Sequence, residues 1–178
     1  MLRYAFIYGG IIGAVVIALM TVVLLTMGTE SVLSSEAAGY AIMIVVLSLV
    51  FVGIKRYRDV EQGGVVSFAQ AAGVGVGIAA VAGVIYAIGW EISLAATDYA
   101  FIESYGQSLI DGVKAQGLAA SEEAAKIAEI TSSMEMYRNP LFRLPITFVE
   151  IFPVGLVVAL VSAFILKNPK ALPARSPA

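Results

Sequence analysis

The sequence predicts an all-α membrane protein with four transmembrane helices and an extracytoplasmic helical hairpin between the third and the fourth. Two observations lead to this fold class. Apolar residues make up 60% of the chain and charged residues only 13%, with a mean hydropathy of +0.91, whereas soluble domains carry about 25% charged residues. The few charges also leave four long apolar runs. A surface this apolar is stable in a bilayer and not in water.

The four runs define the predicted spans. They cover residues 4–29, 37–54, 63–90 and 144–166, and the last contains a single charge, Glu150. A spanning helix needs about 20 mostly apolar residues, and a helix satisfies its own backbone hydrogen bonds in lipid. The first run is longer than the apolar core of a cleaved signal peptide, so we interpret it as a span.

Local signals sharpen the boundaries within one integral membrane domain, 1–178. Ser67 and Gln70 have the capping-box spacing, and Ser34 or Ser35 can cap the second helix. Asn-Pro pairs precede and follow the fourth run. These signals place the spans at about 4–28, 37–54, 67–96 and 142–166, followed by a tail at 167–178.

Charge asymmetry predicts the orientation. If there are four spans, seven cations share one side: Arg3, Lys55, Arg56, Arg58, Lys167, Lys170 and Arg175. The other side has Lys114, Lys126, Arg138 and Arg143, spread along a long connection, and Glu30 and Glu36 in a short one. The positive-inside rule therefore puts both termini in the cytoplasm, and we expect a bacterial inner-membrane protein.

Residues 98–140 form the one sizeable segment outside the predicted spans. Apolar residues at helical spacing predict one arm that ends near Gly117 and a second that starts at Ser121. The first arm could also continue the third spanning helix. The hairpin either caps the bundle or offers a surface to a partner, and the residues do not separate these alternatives.

A candidate polar site lies within the third and fourth spans. Glu150 is well inside the fourth span by residue count, and Glu91 follows Trp90 near the end of the third. Pro153 leaves the carbonyl of residue 149 without its helical N–H donor. Arg143, seven residues before Glu150, lies on the same helical face and could pair with it. Glu150 is then either a packing group or a site for a proton, cation or polar solute.

Two further patterns are candidates for structural roles. Arg58 and Asp59 fall in a mixed-charge turn that is either a solvated face or a group that binds lipid headgroups or locks the second and third helices. Gly9 and Gly13 on the first helix, and Gly73 and Gly77 on the third, repeat at four-residue spacing. Such rows let helices approach closely in lipid, within one chain or between copies.

Several segments together resemble a known family. They are KRYRD at 55–59, GG at 63–64, SFAQA at 67–71, EIFPVGL at 150–156 and SA at 162–163. The pattern is similar to that of a bacterial membrane family catalogued as domain of unknown function 4199. The resemblance implies an inner-membrane protein with four spans and an outward helical segment. It singles out Arg58, Asp59, Glu150 and Pro153 as motif positions, and it implies no activity.

Composition excludes several kinds of chemistry. The chain has no cysteine and no histidine, which excludes disulfides, thiol catalysis, Ser-His-Asp triads and Cys- or His-ligated metals. No nucleophile–base pair and no carboxylate cluster with metal-binding spacing is visible. We therefore predict no catalytic residue, no metal and no cofactor. The net charge of −2 argues against a nucleic-acid partner.

Three functions compete. We expect a non-enzymatic structural or accessory protein whose partners are the lipid bilayer and a homo-oligomer or another membrane protein. The alternative is a small oligomeric transporter or channel that uses Glu150, with Glu91, for a proton, cation or polar solute. A lipid-acting enzyme would need the two carboxylates to bind Mg²⁺ or to transfer protons, and we disfavour it.

Overall fold

A computed structural model of the chain describes residues 1–27 and 36–173. Their regular secondary structure is helical throughout: α1 (Leu2–Met27), α2 (Glu36–Leu47), α3 (Leu49–Glu61), α4 (Phe68–Ala96), α5 (Ala100–Lys114), α6 (Ala120–Arg138) and α7 (Pro140–Leu166). Four stretches are long and apolar enough to cross a membrane, namely Leu2–Val23, Ala37–Glu61, Phe68–Ala96 and Pro140–Leu166. The predicted all-α class with four spans is confirmed. The predicted caps Ser34 and Ser35, and the charges Glu30 and Arg175, lie outside the described residues.

The helix that contains the second predicted span, 37–54, extends beyond it. Helices α2 and α3 are separated by Ser48 alone, whose hydroxyl donates a hydrogen bond to the Val45 carbonyl at 2.6 Å. Together they cover the 25 residues Ala37–Glu61, so the helix continues past residue 54, where the apolar run ends. The KRYRD segment at 55–59 is therefore helical and is not a turn. The helix tolerates Arg58 in the interior of the bundle because its guanidinium is fully hydrogen-bonded, as described below.

The connection from α3 to α4 follows its local signals. Gly63 and Gly64 have φ angles of +60° and +90°, which only glycine adopts without strain. The Ser67 hydroxyl accepts a hydrogen bond from the Gln70 backbone N–H at 3.2 Å, and the Gln70 side chain accepts one from the Ser67 N–H at 3.2 Å. This reciprocal cap satisfies two backbone donors at the start of α4.

Helix α4 lies at the centre of the bundle, between α1 and α7. Small residues make the close approach of α4 and α7 possible. A Cβ atom built on Gly75 would lie 2.7 Å from the Ala159 Cβ, and one built on Gly155 would lie 2.8 Å from the Ala79 Cβ. The interior around these contacts is apolar and includes Ile54, Ile78, Ala82 and Ile151.

Large apolar side chains also cover the outside of the bundle. Phe6 is 66% exposed, Val45 70% and Phe164 63%. Soluble monomers rarely expose continuous apolar patches of this kind, whereas lipid tails solvate them well. The surface and the helix lengths together identify a multi-pass membrane protein.

The hairpin is present between the third and fourth spans, as predicted, and it does not continue α4. The chain breaks after α4 because Asp98 and Tyr99 adopt left-handed φ angles of +49° and +57°. Helix α5 then buries Ile102 and Val113 and pairs with α6. Gly117, with φ +63°, follows α5. Helix α6 begins at Ala120, one residue before the predicted Ser121, and none of its residues is buried.

Candidate functional site

A polar cluster joins α4, α6 and α7 at the hairpin end of the bundle. Its centre is Arg143, in the first turns of α7, whose side chain is only 1% exposed. The guanidinium forms a two-pronged ion pair with Glu91 of α4: Nε donates to Oε2 at 2.8 Å and Nη2 donates to Oε1 at 2.7 Å. This fork geometry is the strong form of an Arg–carboxylate pair.

The remaining guanidinium nitrogen of Arg143 caps α6. Its Nη1 donates to the carbonyl of Tyr137 at 2.7 Å and to the carbonyl of Arg138 at 3.2 Å. The last carbonyls of a helix have no partner within the helix and carry the negative end of its dipole, so a cation stabilises them. One side chain thus binds the end of α4 and closes the C-terminus of α6.

Aromatic rings enclose the ion pair. The Tyr99 and Tyr137 rings lie 5.2 and 5.6 Å from the Arg143 guanidinium carbon, within the range of cation–π attraction. The Tyr99 hydroxyl donates to Glu91 Oε1 at 3.1 Å, and Trp90 Nε1 donates to the Tyr137 hydroxyl at 3.0 Å. Burial raises the pKa of Tyr137, so its phenol stays protonated at neutral pH. The left-handed backbone of Tyr99 is the conformation that places its ring over the guanidinium.

Glu150 does not have the predicted partner. The hydrogen bonds of Arg143 go to Glu91 and to the two carbonyls, and the Thr147 hydroxyl donates back to the Arg143 carbonyl at 3.0 Å. The Glu150 side chain is exposed on the surface of α7.

Helix geometry explains where α7 puts these residues. Its buried positions advance mainly by four residues and include Arg143, Thr147, Ile151, Gly155 and Ala159. Glu150 and Pro153 lie beside this row and are exposed. The helix continues through Pro153 to Leu166. The polar spot that the sequence predicts around Glu150 and Pro153 therefore faces outward.

A second polar cluster lies at the opposite, basic end of the bundle. Arg58 is 0% exposed, and all its guanidinium nitrogens are bonded. Nε donates to Asp59 Oδ1 at 2.7 Å, Nη1 to the Ala171 carbonyl at 2.8 Å and Nη2 to the Leu172 carbonyl. Lys55 pairs with the other Asp59 oxygen. Arg58 thus ties α3 to the chain that follows α7, and its burial means that it is not part of a solvated face.

The predicted glycine rows divide between packed and open positions. Cβ atoms built on Gly9 and Gly13 would lie 2.7 Å from the Ile78 carbonyl oxygen and 2.8 Å from the Ala82 carbonyl oxygen, both on α4. A Cβ atom built on Gly77 would lie 3.2 Å from the Ala5 Cβ of α1, whereas Gly73 is exposed. Sequence reasoning missed the glycines at the α4–α7 contact, Gly75, Gly83 and Gly155. The four-residue steps from 75 to 83 through Ala79 were a signal that could have found them.

Comparison with known proteins adds the family. No curated protein and no solved structure matches the chain. The family described as Protein of unknown function (DUF4199) matches residues 7–168, a range that includes the Arg143–Glu91 cluster, Arg58 with Asp59, and most of the first span with all of the other three. The chain, a multi-pass membrane protein, therefore belongs to the DUF4199 family.

Proposed function

We propose that this chain is a non-enzymatic structural or accessory protein of the bacterial inner membrane. One observation carries the proposal: the buried guanidinium groups form all their hydrogen bonds within the chain, where they hold the helices together. Arg143 and Arg58 each employ all guanidinium nitrogens in contacts within the chain. Among the described residues, no buried side-chain nitrogen or oxygen lacks a hydrogen-bond partner. Saturated groups of this kind stabilise a fold and offer no free donor to a substrate.

The orientation that goes with this proposal rests on charge. Six described cations lie at the basic end, where both ends of the described chain also lie: Arg3, Lys55, Arg56, Arg58, Lys167 and Lys170. Cytoplasmic ends of spans carry the excess of Lys and Arg. The basic end is then cytoplasmic, and the α5–α6 hairpin stands on the other face of the membrane.

The hairpin supplies the surface that an accessory role requires. Helix α6 has no buried residue, and most of its side chains face water. From Asp98 to Asn139 the segment has seven carboxylates against three cations. A rigid, exposed and acidic helix pair is suited to a basic region of a partner protein.

Cysteine labelling tests both parts of the proposal, because the chain has no native cysteine to react in the background. Right-side-out membrane vesicles would be treated with a small membrane-impermeant maleimide. We expect Ser121→Cys, on the exposed face of α6, to react, and Lys170→Cys to react only after the membrane is opened. Glu150→Cys should resist the reagent in both conditions and react after denaturation in detergent.

Two results would contradict the proposal. If Lys170→Cys reacts in sealed vesicles and Ser121→Cys does not, the orientation is reversed. If Glu150→Cys reacts as readily as Ser121→Cys, water reaches the middle of α7, and the structural interpretation of that position fails.

A small oligomeric transporter or channel is the second candidate, and the depth of Glu150 along α7 favours it; because the side chain faces outward, the pathway would lie between copies of the chain. The residue lies 10 residues after Pro140 and 16 before Leu166, or about 15 and 24 Å along the helix. Carboxylates at such depth commonly belong to ion pathways. Proton flux into liposomes that contain a pH-sensitive dye would test this. The candidate predicts flux that Glu150→Gln abolishes and Glu103→Gln, an exposed control on the hairpin, leaves intact.

A further inference from the structure

A groove opens at the basic end of the bundle, beside the buried Arg58. It has a volume of about 780 Å³ and lies between α1, α3 and the chain that follows α7. One face of α3 forms its long wall, because its lining residues fall in two rows at three- and four-residue spacing, Val52–Lys55–Asp59 and Val52–Arg56–Val60. Tyr8 of α1 forms the opposite wall, and Leu172 with Pro173 closes one side.

The groove is apolar toward the centre of the span and cationic at its end. Val52 is 46% exposed. It lies one helical turn before Arg56, and this turn places Val52 about 6 Å deeper in the bilayer than Arg56. Lys55 and Arg56 follow at the level where the apolar part of the span stops. The groove therefore changes from apolar to positive over the distance that separates acyl chains from phosphates in a lipid leaflet.

The charge of the groove is available to a ligand. Lys55 shares Asp59 with the buried Arg58 and is still 31% exposed. Arg56 is exposed, and it makes no hydrogen bond or ion pair with another described residue. At the hairpin end, by contrast, Arg143 has used all its donors. A free guanidinium that can bind a phosphate through two parallel hydrogen bonds is thus found here.

We propose that this groove binds an anionic phospholipid. The phosphate contacts Arg56 and Lys55, and one acyl chain lies along Val52 and Tyr8. Charge complementarity selects an anionic headgroup, because the two cations that line the groove, Lys55 and Arg56, outnumber its one lining carboxylate, Asp59. The membrane-facing apolar wall selects a lipid over a free phosphate, and basic pockets at the ends of spans bind such lipids.

Native mass spectrometry of the full-length protein tests this proposal. Protein in mild detergent would be equilibrated with equal amounts of phosphatidylglycerol and phosphatidylcholine, and the retained lipid would be measured. We expect wild type to retain phosphatidylglycerol in preference. Arg56→Gln should lower that occupancy about five-fold, the loss expected for one cation near an anionic lipid. Arg56→Lys should retain most of it. Because Arg56 is exposed and makes no hydrogen bond or ion pair with another described residue, the unfolding midpoint should not change.

A matched control separates a built site from general attraction. Lys170→Gln removes one charge at the same end of the bundle but outside the groove, and we expect it to leave lipid retention unchanged. Equal retention of the two lipids by wild type, or equal loss in Lys170→Gln and Arg56→Gln, would overturn the proposal. Displacement of the lipid by excess glycerol phosphate would show that the acyl chain contributes nothing to binding. That result would also overturn the proposal.

Discussion

Arg143 and Arg58 are buried at opposite ends of the bundle, and the surroundings of each explain how lipid-embedded helices tolerate a charge. A buried charge costs several kcal/mol in lost hydration, and bonds in good geometry offset that cost only when every donor finds an acceptor. Arg143 meets the condition with the Glu91 carboxylate and two helix-end carbonyls. Arg58 meets it with Asp59 and two tail carbonyls. Each arginine thereby fixes one chain end or one helix end in place.

Glu91→Gln should destabilise the protein by about 3 kcal/mol. The substitution removes a charge from a buried pair and leaves the Arg143 guanidinium uncompensated, which typically costs 3–5 kcal/mol. The lower end applies because the Glu91 side chain is 22% exposed. The free energy of unfolding in mixed detergent micelles would measure the loss.

Two variants decide whether the charge itself is responsible. Glu103→Gln breaks the exposed pair with Arg138, in which the Glu103 side chain is 76% exposed and the Arg138 side chain 61%. This variant should cost at most about 1 kcal/mol of stability. The double variant Glu91→Leu with Arg143→Met should recover most of the stability by removing both charges. A Glu91→Gln protein as stable as Glu103→Gln would contradict the importance of the buried pair.

These pairings mark where prediction from the sequence stops. Spacing along α7 suggested Glu150 as the partner of Arg143, whereas the actual partner lies 52 residues away on α4. That choice depends on how α4 and α7 pack, which no local pattern specifies. Two of the three acceptors of Arg58 are backbone carbonyls more than 110 residues away. Every residue has a carbonyl, so no side-chain pattern could have indicated them.

The helices themselves were more predictable than their contacts. Lengths of apolar runs predicted the four spans because lipid leaves the backbone no alternative to a helix. The capping box at Ser67 and the break at Asn139-Pro140 marked starts that the structure has at Phe68 and Pro140. Helix α3 continues seven residues beyond the predicted end of the second span at residue 54, because the charges at 55–58 end an apolar run without ending the helix.

Gly75→Ala tests the close packing of α4 against α7. A Cβ on Gly75 would lie 2.7 Å from both the Ala159 Cβ and the Ile54 Cδ1, and 3.2 Å from the Ala159 Cα. Because a backbone atom is among the neighbours, the helices would have to separate. Overpacking of this kind costs about 1–3 kcal/mol, and a denaturant titration followed by helical circular dichroism would measure it.

Gly73 provides the matched control on the same helix. It is exposed, and the nearest atom to an added Cβ is the Met1 methyl at 3.5 Å. Gly73→Ala should therefore leave stability unchanged or raise it slightly, since alanine favours the helix. If both variants lose stability equally, helix propensity and not interhelical packing explains the effect.

The bundle is closed at its basic end by contacts between distant parts of the chain. Tyr4 of α1 donates to Glu61 of α3 at 3.1 Å and meets the Tyr57 ring edge-on at 5.5 Å. Arg58, between these α3 residues, holds the tail segment, residues 168–173. The first, second and fourth spans are thus joined at one level. At the hairpin end, Arg143 joins the third and fourth spans through Glu91 and closes α6. The two arginines act at opposite ends of the same four-helix unit.

Truncation of the tail tests how far this closure stabilises the bundle. Ending the chain after Lys170 removes the Ala171 and Leu172 carbonyls and leaves two buried guanidinium donors of Arg58 without acceptors. Each unsatisfied donor costs about 1–3 kcal/mol, so we expect a loss of about 2–5 kcal/mol in unfolding free energy, with the second span released first. Ending the chain after Pro173 keeps both carbonyls and should leave stability unchanged. Hydrogen exchange at α3 amides would locate the effect, because protection should fall around Arg58 in the shorter protein alone. Equal protection in the two truncated proteins would mean that water replaces the tail carbonyls at no cost, and that Arg58 does not depend on the tail.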